Sequence, residues 1–252
     1  MINQFSKNDY QWENCRIGIT GASGSLGKAL TKKFRSKGAF VIGLTSKEPR
    51  PDDSSIENPQ EWVRWECGKE KDIKDTLDTL DILILNHGFN PQGSQNAIVL
   101  NKALEINALS TWRLSNIFKD ISVNNNDLTR AKELWINTSE AEIQPALSPG
   151  YEISKRLIGQ LISIEWSNLS NKDKSNLKIR KLILGPFLSG LNPIGLMNAN
   201  FVSNQVIFQA ELGINLIIVT PNPLTYLIMP LTEIFRLLYF RITKKLSKSI
   251  KV

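Results

Sequence analysis

Seven short apolar runs rich in β-branched residues alternate along the chain with longer stretches whose apolar residues recur at helical spacing. The runs cover residues 15–20 (CRIGIT), 40–44 (FVIGL), 62–67 (WVRWEC), 81–86 (DILILN), 133–138 (ELWINT), 179–184 (IRKLIL) and 215–220 (NLIIVT). A strand that is apolar at consecutive positions is buried on both faces, as in a parallel sheet covered by helices. The intervening stretches supply those helices. In 26–38, Leu26, Leu30 and Phe34 share one face and Gly38 ends it, and 101–121 and 152–169 are longer amphipathic stretches. The alternation predicts a single-domain α/β architecture, a doubly wound parallel sheet of about seven strands with helices on both faces. Residues 46–60 and 185–198 are marked as irregular loops by their Pro and Gly.

The pattern changes near the C-terminus. A domain over 1–222, including a substrate loop at 185–198, gives way to an apolar and basic helical tail over 223–252. The run from Leu224 is interrupted by Pro230, Glu233 and Arg236, too early for the roughly 18 uncharged residues of a membrane-crossing helix. Leu231, Ile234, Phe235, Leu238 and Ile242 recur at helical spacing. Two readings stay open. Either 224–252 lies in a membrane interface as a peripheral contact with lysines at anionic headgroups, or the helix covers the substrate cleft or packs in an oligomer.

Composition narrows the partners. With 41% hydrophobic and 22% charged residues, the chain reads as a soluble globular protein. Its formal charge of +7 suggests nucleic acid until it is located: Arg241, Lys244, Lys245, Lys248 and Lys251 contribute five of the seven, leaving +2 elsewhere. A basic tail is not a basic face, and nucleic-acid binding is not expected. The polar stretch 1–15 does not read as a signal peptide. Cys15 and Cys67 fit neither a disulfide framework nor a metal site and are read as free, buried thiols in strands, so the expected location is the cytoplasm.

The first run leads directly into TGASGSLG, residues 20–27, and then a helix. Gly21 permits a tight turn, Gly24 lets backbone amides approach a pyrophosphate, and Gly27 lets the helix pack on the strand. With Ser23, Ser25 and Leu26 they form the expected phosphate turn of a Rossmann dinucleotide site. At the end of the second run an acid would bind the adenine ribose of NAD, but here stand Thr45, Ser46 and Lys47. Two hydroxyls and a lysine suit the 2′-phosphate of NADP; NAD is the alternative, with Glu48 in the acid's place.

These motifs resemble, in order and over nearly the whole chain, those of the short-chain dehydrogenase/reductase family. Asn86 and Gly88 in NHG look like that family's element after the fourth strand, and Asn107 in EINALS looks like its helix asparagine. Ser139 in WINTSEAE, Tyr151 and Lys155 look like its catalytic serine, tyrosine and lysine. The resemblance implies that Ser139 holds the substrate oxygen, Tyr151 moves the proton, Lys155 binds the nicotinamide ribose, and Asn107 positions a relay water. It also implies cofactor contacts from Glu66 to the adenine and from Pro186 in the loop after the sixth strand.

Spacing supports the pair independently: residues four apart share a helical face, so Lys155 lies near the Tyr151 phenol. Its charge, with an oxidised nicotinamide, is expected to lower the phenol pKa by two to three units, about 3–4 kcal/mol. His87, the one histidine, is read as packed or cofactor-adjacent rather than catalytic.

Three features depart from the family pattern. Gly24 falls one place early with Ser25 in its stead, as in the extended branch; Thr138 is a second candidate for the serine; and the order Gly185–Pro186 is reversed. Chains labelled bifunctional sterol desaturase/short-chain dehydrogenase are also similar, but a desaturase iron site needs several histidines.

The expected function is an NADP(H)-dependent oxidoreductase, a homo-oligomer, moving hydride between nicotinamide and a small carbonyl or alcohol. A tail that meets membrane points to a lipophilic substrate. The alternatives are a dinucleotide-dependent epimerase or dehydratase and a non-catalytic dinucleotide-sensing scaffold.

Overall fold

The computed structural model describes residues 12–48, 55–124 and 131–250, without the side chains of 245 and 247–250. Most of the polar stretch 1–15, part of the 46–60 loop and the terminal Lys251 lie outside the described residues.

Strands β1 (Arg16–Thr20), β2 (Phe40–Thr45), β3 (Glu61–Arg64), β4 (Ile82–Leu85), β5 (Lys132–Asn137), β6 (Leu177–Leu184) and β7 (Leu216–Val219) form one sheet. Every pairing is parallel, in the order β3-β2-β1-β4-β5-β6-β7. All seven runs are thus strands, and the doubly wound α/β reading is borne out. The reversal of strand order between β1 and β4 opens a crevice at the carboxyl edge of the sheet.

Helices cover both faces: α1 (Ser25–Ser36), α2 (Lys74–Asp78), α3 (Ala97–Leu104), α4 (Ser110–Asn124), α5 (Pro149–Asn168), α6 (Asn171–Asn176), α7 (Ala199–Glu211) and α8 (Pro223–Ile250). In β4, Ile82 and Ile84 join one core cluster with Leu30, Phe34 and Val206, while Leu83 and Leu85 join the other with Phe118 and Ile162. That division explains why the strand is apolar without interruption.

Details differ from the sequence pattern. The helix read at 101–121 starts earlier, where Asn96 accepts from the Ile98 amide, and passes through a π-helical turn at Glu105–Leu109. Helix α7, capped by the Asn198 side chain, was not singled out from its sequence. Strand β3 ends at Arg64, so Glu66 and Cys67 fall beyond it, and Cys15 precedes β1. Neither cysteine forms a disulfide among the described residues; Cys15 is buried and Cys67 half-buried.

Helix α8 is oriented against simple expectation. Its buried residues include Thr225, Met229 and Glu233, while Leu231, Ile234, Phe235, Leu238 and Ile242 face outward. A tail covering the cleft with that stripe is therefore not what forms. Among the described residues no helix is long and apolar enough to cross a membrane.

The inner face of α8 meets a buried ion cluster. Lys181 on β6 lies 2.9 Å from Glu142 and 3.0 Å from Glu233, and the Arg236 guanidinium lies 2.7 Å from Glu142. Lys181 also donates to the Gly159 carbonyl at 3.1 Å and to Ser163 Oγ at 3.3 Å. Removing one charge from such a cluster leaves another buried and unpaired. Lys181→Met is therefore expected to destabilise the fold by about 3–5 kcal/mol in urea unfolding. Lys32→Ala, which breaks the exposed pair with Glu57, should cost a small fraction of that. Equal effects from both would contradict the burial argument.

Candidate dinucleotide and catalytic site

The site lies at the carboxyl edge of β1, β4 and β5. Chain leaving β1 turns at Gly21, where φ is +65°, and enters α1 through Gly24. No side chain caps this helix, and Ser23, Gly24 and Ser25 are exposed, so its first amides face outward. A Cβ at Gly27 would lie 2.3 Å from the Gly21 carbonyl oxygen and 2.6 Å from Ala22 Cα. Only a glycine lets α1 sit this close to the turn. Leu26, buried behind it, anchors the first turn in the core. An uncapped helix N-terminus behind an open glycine turn fits a bound pyrophosphate.

Thr20 closes the other side of the turn. Its hydroxyl accepts from the amides of Asn86 at 2.8 Å and His87 at 3.2 Å and shares a 2.8 Å hydrogen bond with His87 Nδ1. The Asn86 side chain donates to the Gly21 carbonyl at 3.5 Å and accepts from Asn137 Nδ2 at 2.9 Å. His87 packs edge-on to Trp65, 5.1 Å between centroids, with Thr111 Oγ1 3.4 Å from its Nε2. Burial, reinforced by the charge of Lys155, lowers its pKa to about 4. The ring is neutral near physiological pH and half-buried.

The three resemblance-derived catalytic residues converge. Ser139 opens a short turn, Glu140–Glu142, with its hydroxyl accepting from the Ala141 amide at 3.2 Å. Thr138, the second candidate, is buried and donates to the Leu182 carbonyl at 3.1 Å. Ser139 is near enough to the half-buried Tyr151 phenol to favour its ionised form. One turn along α5, Lys155 Nζ lies 5.6 Å from the Tyr151 ring centroid and donates to the Asn137 carbonyl at 3.0 Å. The chain of contacts Gly21–Asn86–Asn137–Lys155 joins the glycine turn to the Tyr-Lys pair.

Two findings qualify the chemistry of the protein without a bound dinucleotide. Burial raises the Tyr151 pKa above its ordinary value, against the opposing effect of Ser139. The protein alone does not lower it. Desolvation of the phenolate outweighs that effect, and burial likewise lowers the Lys155 pKa to about 8, with Glu142 opposing. Asn107 is held in a hydrogen-bond network of its own. Its amide accepts from Phe89 N at 2.7 Å and donates to Phe89 O at 2.8 Å and Ser154 Oγ at 2.9 Å, bracing α5 against the loop after β4.

At the adenosine end, Thr45 is buried and accepts from the Lys47 amide at 3.1 Å, while Ser46 and Lys47 are exposed. Glu48 and Glu66 are both paired with Arg64. Glu66 also pairs with Lys69 at 3.2 Å, which holds its carboxyl below the usual range. Gly88 packs under Asn107, and Leu191 of the 185–198 loop lies over it. Pro186 anchors that loop, its carbonyl accepting from Leu196 N at 2.9 Å.

Arg64, Thr20, Ser154 and Glu142 belong to this site and were missed in sequence. For Glu142 the available signal was its position three residues after Ser139.

Solved structures share this fold. A short-chain dehydrogenase from Burkholderia cenocepacia in complex with NADP superposes with a TM-score of 0.72 at 16% identity, over 87% of this chain and 93% of that one. One from Leptospira borgpetersenii with bound NAD+ gives 0.64 at 19%, over 79% and 86%. Aldohexose dehydrogenase from Thermoplasma acidophilum, ligand-free, gives 0.66 at 13%, over 83% and 93%. The fold is that of the short-chain dehydrogenases. The resemblance read from the motifs is borne out.

Among curated proteins, the monoglucosyldiacylglycerol epimerase of Synechocystis sp. is 40% identical over 233 residues. The match takes in 91% of this chain but 55% of that protein, so the chain spans about half of its relative's length. No family model matches the chain.

Two outcomes are expected of this geometry. Gly27→Ala should displace the glycine turn and abolish NADPH or NADH quenching of tryptophan fluorescence; unchanged binding would show that the turn is not a dinucleotide cradle. Lys155 keeps its proton to about pH 8 when folded but to 10.5 as an ordinary lysine. Between those values the unfolded chain binds more protons, so stability rises with pH. The stability of wild type relative to Lys155→Met should therefore climb between about pH 8 and about pH 10 in chemical unfolding. A flat difference would mean an unperturbed lysine.

Proposed function

We propose that the chain is a nicotinamide-dinucleotide-dependent enzyme that moves hydride at a secondary-alcohol carbon. One observation carries the reading. Ser139, Tyr151 and Lys155 meet beside the Gly21–Gly27 turn and are linked to it through Asn86 and Asn137. The nicotinamide supplies the hydride acceptor and donor. Ser139 orients the substrate oxygen, Tyr151 takes or returns its proton, and Lys155 offers its ammonium to ribose hydroxyls and to the phenolate. Because burial raises the phenol pKa in the protein alone, Tyr151 works as a base only once further positive charge is next to it.

The 40% identity to an epimerase favours a specific form of this chemistry. In epimerisation Tyr151 accepts the alcohol proton as the C–H hydride leaves, and a ketone forms. Tyr151 then returns the proton as hydride comes back to the opposite face. No net oxidation results. A sugar carried on a diacylglycerol is the substrate class the relative suggests, and the exposed Ile194 and Leu196 of the 185–198 loop suit a lipid. Simple oxidation of a lipophilic alcohol is the second form. NADP is the preferred cofactor in this reading, because Lys47 is exposed just after β2 and Arg64 pairs with Glu48.

Incubation with monoglucosyldiacylglycerol and NADP+ or NAD+ should give the epimer without accumulation of reduced nicotinamide. Accumulation would point to simple oxidation, and no product of either kind would favour a scaffold. Tyr151→Phe should lose turnover by more than about a hundredfold while keeping dinucleotide binding. Lys47→Glu should weaken NADPH about tenfold, roughly 1.4 kcal/mol, and leave NADH unaffected. Tighter binding of NADH by the wild type would overturn the cofactor assignment.

A further inference from the structure

Helix α8 is built inside out. Toward the protein it presents Thr225, Met229 and Glu233, with Arg236 reaching Glu142. Toward solvent it presents Leu227 (63% exposed), Leu231, Ile234, Phe235 (68%), Leu238 and Ile242. These six fall on one stripe of a 3.6-residue helix, about 22 Å long. Rolling the helix to bury the stripe would carry Glu233 and Arg236 out of the cluster and leave the buried Lys181 and Glu142 with only each other to pair with. The ion cluster therefore commits the apolar face to something outside this fold.

Charge identifies that partner. Glu233 is the one acid of α8, and it is buried. Arg241 and Lys244 are exposed at the far end of the stripe, and Lys245, Lys248 and Lys251 follow in sequence with no acid between. Tyr226 and Tyr239 add exposed phenols beside the apolar residues. An apolar stripe with flanking cations and amphipathic aromatics complements an anionic lipid surface. A second copy paired along the same stripe would meet these cations with no carboxylate of α8 to receive them.

We propose that α8 lies on an anionic phospholipid bilayer with this stripe in the boundary between headgroups and acyl chains. The first turn of α8 is fastened to the Ser139 turn: Gln144 donates to Thr225 Oγ1 at 2.9 Å, and Thr225 donates to Glu140 at 3.2 Å. Docking therefore holds the crevice beside the bilayer.

Flotation of the full chain with vesicles tests it. The protein should float with vesicles containing phosphatidylglycerol, and float less with phosphatidylcholine alone or in high salt. Phe235→Glu and Leu238→Glu should each abolish flotation without changing the melting temperature, and Arg241→Glu should weaken it. Tyr151→Phe should float like wild type, which separates this surface from the catalytic reading. No flotation with either vesicle, or flotation unaffected by both apolar substitutions, would overturn the proposal. So would a dimer in sedimentation velocity that Phe235→Glu dissociates while wild type ignores vesicles, since the stripe would then join two copies.

Discussion

A fully buried lysine sets the terms for the rest of this structure. Lys181 sits inside the sheet layer, and a charge there is tolerable only with partners in place on every side. Those partners come from the Ser139 turn, from α5 and from α8, which are thereby fastened to β6 and to one another. Even the absence of a side chain at residue 159 is part of this. A Cβ on Gly159 would lie 2.0 Å from a Glu142 carboxylate oxygen. The helix carrying Tyr151 and Lys155 can approach the turn carrying Ser139 only because that space is open.

The same cluster reaches into the chemistry. Glu142 raises the Lys155 pKa while burial lowers it, and the balance near 8 puts the lysine within reach of proton exchange in mildly basic solution. Asn107 holds the other flank. Its hydrogen bonds to the backbone of Phe89 and to Ser154 clamp α5 from the π-helical turn, where one extra residue in the helical ladder aims an asparagine inward. Placement of the crevice residues is thus set from behind, by groups that need not touch a substrate.

Seen from the sequence, the fold was largely legible because its signals are local. Every apolar run became a strand, and the glycine turn followed the first of them. The candidate site was legible through spacing for Tyr151 and Lys155 and through resemblance for Ser139 and Asn107. Glu66 was placed at the end of a strand that in fact stops two residues earlier, where a paired Arg64 now stands. The Tyr151 pKa was expected to be lowered by the lysine together with an oxidised nicotinamide; the cost of burying the phenolate, which raises it in the protein alone, is not countable in sequence.

By itself the sequence determined the layer order, the dinucleotide turn and the helical period of the tail, since each depends on residues within a few positions of one another. Only the tertiary structure decided which face of the tail turns inward. The apolar stripe alone favours burial, but Glu233 and Arg236 find Lys181 and Glu142 across about a hundred residues or fewer of intervening chain. A buried charge left without its partners costs more than exposed leucines do, and that inequality set the orientation of α8.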